Sequence, residues 1–150
     1  MKQQHYHNSA IVNVTQEEAM QKIVDVPAWW SENFEGHCQA EGDVFTVRFG
    51  KIYKTFKVTE LSVDRMVWEV IDCHMPWLSN ITEWNGTRVV WEVSTSGDGT
   101  SVSMTHIGLV PEVECYNDCR KGWNYYFEQS LLQWITEGKG MPEKMKKEAV

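Results

Sequence analysis

The stretch CRKGWNYYFEQSLLQWITEGKG, residues 119–140, decides the fold class of this chain. Its large apolar residues recur at spacings of three and four, which places them on one broad face of a helix. Gly138 supplies the usual stop at a helix C-terminus. The apolar face comprises Cys119, Trp123, Tyr126, Phe127, Ser130, Leu131 and Trp134. A long amphipathic helix of this kind must bury that face against another layer of the protein.

The other layer is predicted by a period of two in the residues that precede the helix. Apolar and polar side chains alternate there, a pattern typical of strands with one buried face. The alternating segments are 44–49, 51–61, 66–73, 87–94 and 100–110, and residues 9–14 predict a further strand. Turn sequences such as Ser-Gly-Asp-Gly at 96–99 separate them, which predicts an antiparallel meander.

Two short helices are predicted directly after the first strand. Thr15 and Glu18 have the spacing of a capping box, in which each side chain bonds the backbone amide of the other. Asp25-Val-Pro27 opens a second helix, because proline is tolerated in a first turn, and this helix carries Trp29-Trp30. We therefore predict an α+β protein, a curved antiparallel sheet of about six or seven strands wrapped around a long C-terminal helix.

Length and charge limit the functions that this chain can have. Its 150 residues predict one domain, 1–150, with a core of about 9–142 and a frayed charged tail at 143–150. The net charge of −7 repels nucleic acids and anionic membrane surfaces. The polar N-terminus lacks the apolar segment of a signal peptide, and no apolar run reaches the roughly 20 residues that span a bilayer. We expect a cytoplasmic protein that binds neither nucleic acid nor membrane.

The four cysteines are predicted to be packed thiols. Cys38, Cys73, Cys115 and Cys119 would stay reduced in a cytoplasm, where buried free thiols are common. The alternative is a redox pair or half a metal site formed by Cys115 and Cys119, which share a helix face, with His106 as a third ligand. No C-x-x-C spacing supports a metal site, so we expect neither a metal nor a cofactor.

Several segments, in this order and spacing, carry a resemblance to a known family. They are Trp29-Trp30, Glu83-Trp-Asn-Gly-Thr87, Gly99-Thr100, Thr105-His106-Ile-Gly-Leu109 with Pro111-Glu112, and Cys119-x-x-Gly122-Trp123 through Ser130-Leu131 to Gly138-Lys-Gly140. With them the chain resembles the START-like superfamily (SRPBCC, helix-grip), in the branch related to the activator of heat-shock protein 90 ATPase. The resemblance implies a hydrophobic cavity between sheet and helix, which in various relatives holds lipids, sterols, polyketides or plant hormones. Other relatives are cyclases or co-chaperone modules, because one fold hosts many functions.

Large side chains on the inward faces of the sheet and the helix are the candidate ligand-binding residues. Each aromatic ring either lines a pocket or fills the core, since it contributes a large apolar area in both cases. So many bulky rings rarely close a concave space without gaps, which predicts a cavity for a small hydrophobic or amphipathic ligand. The candidates are Trp30, Phe45, Phe49, Phe56, Trp68, Trp91, Met104, His106, Trp123 and Phe127.

Several polar residues are also predicted at inward-facing strand positions, where they could take part in catalysis or in contacts with a ligand. His106 is the one candidate for a catalytic residue: a neutral imidazole can bond a ligand or transfer a proton, or it is satisfied by a helix side chain or backbone group. Lys54, Glu60 and Asp72 are each paired, solvated near a cavity mouth or turned outward by a β-bulge, because a lone buried charge is costly. The connection 74–85 is either a lid over the cavity or an ordinary surface loop.

Three functions are compatible with the sequence. The first is a binding protein for a small apolar or amphipathic molecule. The second is an enzyme of the cyclase or hydrolase type that uses His106. The third is a chaperone-linked interaction module, with a homodimer as a further expectation. Catalytic triads, phosphate-binding glycine loops and paired-carboxylate motifs are absent from the sequence, which favours the binding protein.

Overall fold

Seven strands in residues 4–144, the part of the chain that the computed structural model describes, form one antiparallel sheet. The strands are β1 (Tyr6–Val12), β2 (Phe34–Gly36), β3 (Val44–Phe49), β4 (Ile52–Leu61), β5 (Arg65–His74), β6 (Arg88–Ser96) and β7 (Gly99–Ile107). Their order across the sheet is β1-β7-β6-β5-β4-β3-β2. Within these residues, no helix combines the length and the hydropathy that crossing a bilayer requires.

The helices confirm the predicted helix-grip architecture. Two short helices, α1 (Gln16–Val24) and α2 (Val26–Trp29), follow β1. The C-terminal helix runs through α3 (Tyr116–Asn124), a π-helical segment (Tyr125–Leu131) and α4 (Leu132–Glu137). It ends at Gly138, whose φ of 74° is the left-handed conformation that favours glycine at this position.

The capping box is confirmed in its main bond. The Thr15 hydroxyl accepts from the Glu18 amide at 3.1 Å and so satisfies one free donor of the first turn. The reciprocal bond differs from the prediction, because the Glu18 carboxylate accepts from the Thr15 hydroxyl at 3.3 Å. Helix α1 therefore begins where the sequence places it.

The predicted inward faces of the strands are also confirmed. In β7 every second residue is buried, from Thr100 to His106, while the residues between them are half-buried. The neighbouring strands contribute the fully buried rings of Trp91 from β6 and Trp68 from β5. Together with the helix side chains, these residues form one continuous core.

Three features of the backbone were not predicted. Strand β2 pairs with β3 over only three residues, too few for a period of two to emerge from the sequence. The π-helical segment has i→i+5 hydrogen bonds, as between the Leu132 amide and the Phe127 carbonyl, and the apolar stripe does not reveal this change. Strand β1 also begins three residues earlier than expected, because Tyr6 pairs with His106 and its hydroxyl donates to Asn124 at 2.6 Å.

Two register shifts between β4 and β5 decide where the charged inward candidates point. The first shift places an extra residue in β5 and turns Asp72 outward, and the second places an extra residue in β4 and turns Glu60 outward. Glu60 and Asp72 become exposed as a result. Lys54 lies opposite the buried Cys73 and stays on the inward face.

The C-terminal helix is held in place by hydrogen bonds to the short helices. The Ser130 hydroxyl donates to the Trp29 carbonyl and accepts from the Met141 amide, both at 2.6 Å. Glu143 continues this contact, since its amide donates to the Trp30 carbonyl at 2.8 Å and it forms a bridge with Ser31. The tail expected to fray at 143–150 is thus bonded at its start, and residues 145–150 lie outside the described residues.

Candidate functional site

A cavity of about 250 Å³ lies between the β3–β4 end of the sheet and the first half of the C-terminal helix. Its lining combines aromatic rings with one lysine and a glycine that leaves space on the helix. The lining residues are Trp30, Phe49, Ile52, Lys54, Trp77, Trp84, Asp118, Cys119, Gly122, Trp123 and Tyr126. Three of the predicted ligand-binding residues, Trp30, Phe49 and Trp123, are among them.

The other predicted site residues lie in the packed core beside this cavity. Their side chains have no solvent exposure, and their rings pack against one another, as Phe45 does on Phe56 at 5.1 Å and Trp68 on Trp91 at 5.4 Å between ring centroids. These residues are Phe45, Phe56, Trp68, Trp91, Met104, His106 and Phe127. That these seven residues take part in ligand binding remains a prediction.

Three tryptophans form the main wall of the cavity. Trp123 of α3 stacks on Trp30 with centroids 4.9 Å apart and on Trp84 with centroids 6.2 Å apart. Trp84 belongs to the connection between β5 and β6 and was not a predicted site residue. The sequence could have indicated Trp84, because this residue belongs to the Glu83–Thr87 segment that carries the family resemblance. Such a wall presents flat apolar faces to a ligand.

The connection that contributes Trp84 is tied to the start of the C-terminal helix. The Glu83 carboxylate accepts from the amides of Glu114 at 2.8 Å and Cys115 at 3.1 Å. In return, the Glu114 carboxylate accepts from the Ser79 amide at 2.9 Å. A carboxylate at a helix N-terminus is favourable because it satisfies free amides there. Trp77 of the same connection is 44% exposed and lies at the mouth of the cavity.

Among the residues that the structure describes, Lys54 is the one basic side chain in the lining. Its Nζ lies 4.0 Å from the centroid of the Trp84 ring and 5.4 Å from that of Phe49, distances at which a cation is attracted to an aromatic face. Within residues 4–144, no carboxylate lies within ion-pair distance of this ammonium and no hydrogen bond reaches it. Burial lowers the pKa of Lys54, since desolvation disfavours the charged form.

His106 is satisfied by protein groups on both ring nitrogens. The Trp123 indole N–H donates to Nδ1 at 3.0 Å, so Nε2 carries the proton and donates to the Thr87 hydroxyl at 2.9 Å. That hydroxyl donates to the Trp84 carbonyl at 2.6 Å. Burial, with smaller contributions from Lys54 and His5, lowers the pKa of His106 to about 3. The imidazole therefore joins sheet, helix and connection as a neutral group.

The cysteines are free and buried among the described residues. The Trp84 indole N–H donates to the Cys115 sulfur at 3.2 Å, and Cys119 lines the cavity one turn later. A hydrogen bond between the two thiols raises the pKa of Cys115 and lowers that of Cys119. Across residues 4–144, no three His, Cys, Asp or Glu side chains are grouped to hold a metal ion.

Solved structures of other proteins share this architecture. The Aha1 protein from Colwellia psychrerythraea, described as a dimer, is 20% identical with a TM-score of 0.75, and the match covers 91% of this chain and 99% of that one. Protein SSP2350 from Staphylococcus saprophyticus is 14% identical with a TM-score of 0.67, covering 95% and 98%. DynU16, from the dynemicin biosynthetic locus, is 15% identical with a TM-score of 0.65. The match covers 91% of this chain but only 48% of DynU16.

The comparisons by sequence give no match. No protein-family model fits the chain, and no curated protein matches it significantly. The structural likenesses, together with the strand order and the helices described above, confirm that the chain has the helix-grip fold that the START-like resemblance implies.

Proposed function

We propose that this protein binds a small, mostly apolar molecule in the cavity between the sheet and the C-terminal helix. The observation that carries the proposal is the cavity itself, about 250 Å³ and walled by Trp30, Trp84 and Trp123. A dry cavity of about 150 Å³ accommodates benzene, so the larger volume suits a molecule of one or two rings. The four buried free thiols support a cytoplasmic site of action.

The surroundings of His106 favour binding over catalysis by this residue. Both ring nitrogens already have protein partners, and the side chain does not line the cavity. A substrate would have to displace Trp123 or Thr87 before it could exchange a proton with the imidazole. The enzyme alternative that uses His106 therefore requires a rearrangement, whereas binding requires none. The alternative of a chaperone-linked interaction module rests on the family resemblance.

Filling the cavity from Gly122 is expected to weaken binding while the fold is retained. A Cβ atom built on Gly122 meets no heavy atom within 4 Å, so a larger side chain there extends into the cavity. Gly122→Leu should weaken the binding of 2-naphthamide, a neutral two-ring probe, by at least about tenfold, as expected from the lost contact area. Calorimetric titration gives the affinity, and NMR of the indole N–H groups shows whether Trp30, Trp84 and Trp123 respond.

The matched control is Gly122→Ala, whose methyl group leaves most of the cavity open. It should keep the affinity and raise the free energy of unfolding by about 0.5–1 kcal/mol, because alanine is the better helix former. If the wild-type protein binds none of a panel of neutral one- and two-ring compounds, the proposed function is wrong. Equal binding by Gly122→Leu would show that the probe sits elsewhere.

We also propose that the chain forms a homodimer. The support is the Aha1 protein from Colwellia psychrerythraea, which shares the fold and is described as a dimer. Strand β1 lies at an edge of the sheet and leaves Ile11 62% exposed, so an apolar side chain is available beside an open edge. Sedimentation velocity over a wide concentration range should show a species larger than the 17.5 kDa chain. A single monomeric species at every concentration would contradict self-association.

A further inference from the structure

We propose that the ligand of this cavity carries a carboxylate, which pairs with the Lys54 ammonium while the apolar body of the ligand lies against the tryptophan wall. This inference rests on the proposed function and names the chemical class of its ligand. It starts from a charge that the described residues leave without a partner, in a cavity whose other walls are mostly aromatic.

The position of Lys54 is costly without a negative partner. Its ammonium contacts the faces of Trp84 and Phe49, which replace only part of the water that a free lysine keeps. Arg65, by contrast, pairs with both Glu60 and Glu92 at 3.0 and 3.1 Å. A cation held unpaired among aromatic rings is a group that a bound anion would stabilise.

The lining itself offers little negative charge to compete with a ligand. Asp118 is exposed at the rim, where water solvates its carboxylate. Burial raises the pKa of Tyr126 to about 12, so this phenol stays neutral. The thiols of Cys73, Cys115 and Cys119 also face Lys54; burial raises the pKa of Cys73, and the hydrogen bond between the other two thiols raises the pKa of Cys115 and lowers that of Cys119.

A carboxylate fits this site better than a phosphate does. One lysine provides a single point charge, whereas phosphate dianions are typically bound by several donors or by bidentate arginines. No arginine of residues 4–144 lines the cavity. The small volume and the stacked tryptophans complete the description of the ligand as a compact, planar carboxylate such as an aromatic acid.

The test compares two probes of equal shape, 2-naphthoate and 2-naphthamide. Calorimetric titration of the wild-type protein should show the carboxylate binding about 10- to 100-fold more tightly, the range for a charge-assisted bond in a partly buried site. Lys54→Met should remove this preference and leave the affinity for 2-naphthamide the same or higher. Lys57→Met, an exposed lysine of the same strand, is the matched control and should preserve the preference.

A further variant addresses the competing charge at the rim. Asp118→Asn should raise the affinity for 2-naphthoate and leave that for 2-naphthamide unchanged. The affinity for 2-naphthoate should also fall as the pH rises through the lowered pKa of Lys54, because the ammonium loses its charge there.

The outcomes separate this inference from the proposed function. Failure of both probes to bind the wild-type protein would overturn the proposed function and the inference together. Binding of 2-naphthamide without a preference for 2-naphthoate, or a preference that survives Lys54→Met, would overturn the inference alone. Tighter binding of 2-naphthyl phosphate than of 2-naphthoate would also overturn the assignment of the carboxylate.

Discussion

Acidification is expected to destabilise the folded protein by about 4–5 kcal/mol through His106 alone. The folded-state pKa of about 3 lies below the ordinary histidine pKa of about 6.5, so the unfolded chain takes up the proton first. The contribution of the neutral imidazole is fully present above pH 6.5 and is lost as the pH falls toward 3. Few other single groups in a domain of this size have an effect this large.

The measurement is urea unfolding between pH 7 and pH 4 for the wild-type protein and for His106→Gln, a range over which His106 should account for about 3 kcal/mol of the full effect. The difference in slope between the two isolates His106, because the carboxylates contribute equally to both. His7→Gln is the matched control, since His7 is exposed on β1, and it should keep the wild-type slope. NMR of the His106 ring in the wild-type protein measures its pKa independently. This measurement tests the prediction even if His106→Gln does not fold. A ring that titrates near pH 6 would contradict the prediction.

Replacing Trp30 by alanine is expected to lower the free energy of unfolding by about 3–5 kcal/mol, the usual range for a buried tryptophan. Trp30 is 3% exposed, and its ring lies within 4.9–6.0 Å of those of Phe56, Trp68 and Trp123 between centroids. The variant removes contacts with the sheet and the helix at once, and the gap cannot close without moving one of them.

Denaturant unfolding of Trp30→Ala beside Trp77→Ala measures this effect. Trp77 also lines the cavity but is 44% exposed, so its removal should change stability by no more than about 0.5–1 kcal/mol. A loss below about 1 kcal/mol for Trp30→Ala would show that the aromatic cluster is loosely packed. A large loss for Trp77→Ala would show that the β5–β6 connection contributes more to the core than its exposure indicates.

The elements that the sequence predicts well are those governed by local rules. The alternation in β7 and the capping residue Thr15 depend only on neighbours along the chain, and both are confirmed. The apolar stripe of the C-terminal helix likewise predicts which face is buried, and Trp123 and Phe127 are buried as expected. These rules extend to the fold class, because a sheet and a helix that each have one apolar face must cover one another.

The place of the cavity could not be predicted from the sequence, because only the tertiary structure brings its walls together. Parity along a strand shows which side chains point inward, but it carries no information on where the packing leaves space. Phe45 and Phe49 share an inward face of β3, yet only Phe49 lines the cavity. The difference arises from Trp84 and Gly122, which reach this place from the β5–β6 connection and from α3.

The sequence by itself determined that His106 belongs to an inward-facing position of an antiparallel sheet covered by the final helix, and it left Lys54 either inward-facing or turned outward by a β-bulge. Only the tertiary structure decided their different environments: His106 meets Trp123 and Thr87, whereas Lys54 meets aromatic faces and no anion in the described chain. The physical reason is that inward direction follows from the backbone of one strand, while the partners of a side chain come from segments distant in sequence, and their positions depend on the packing of the whole domain.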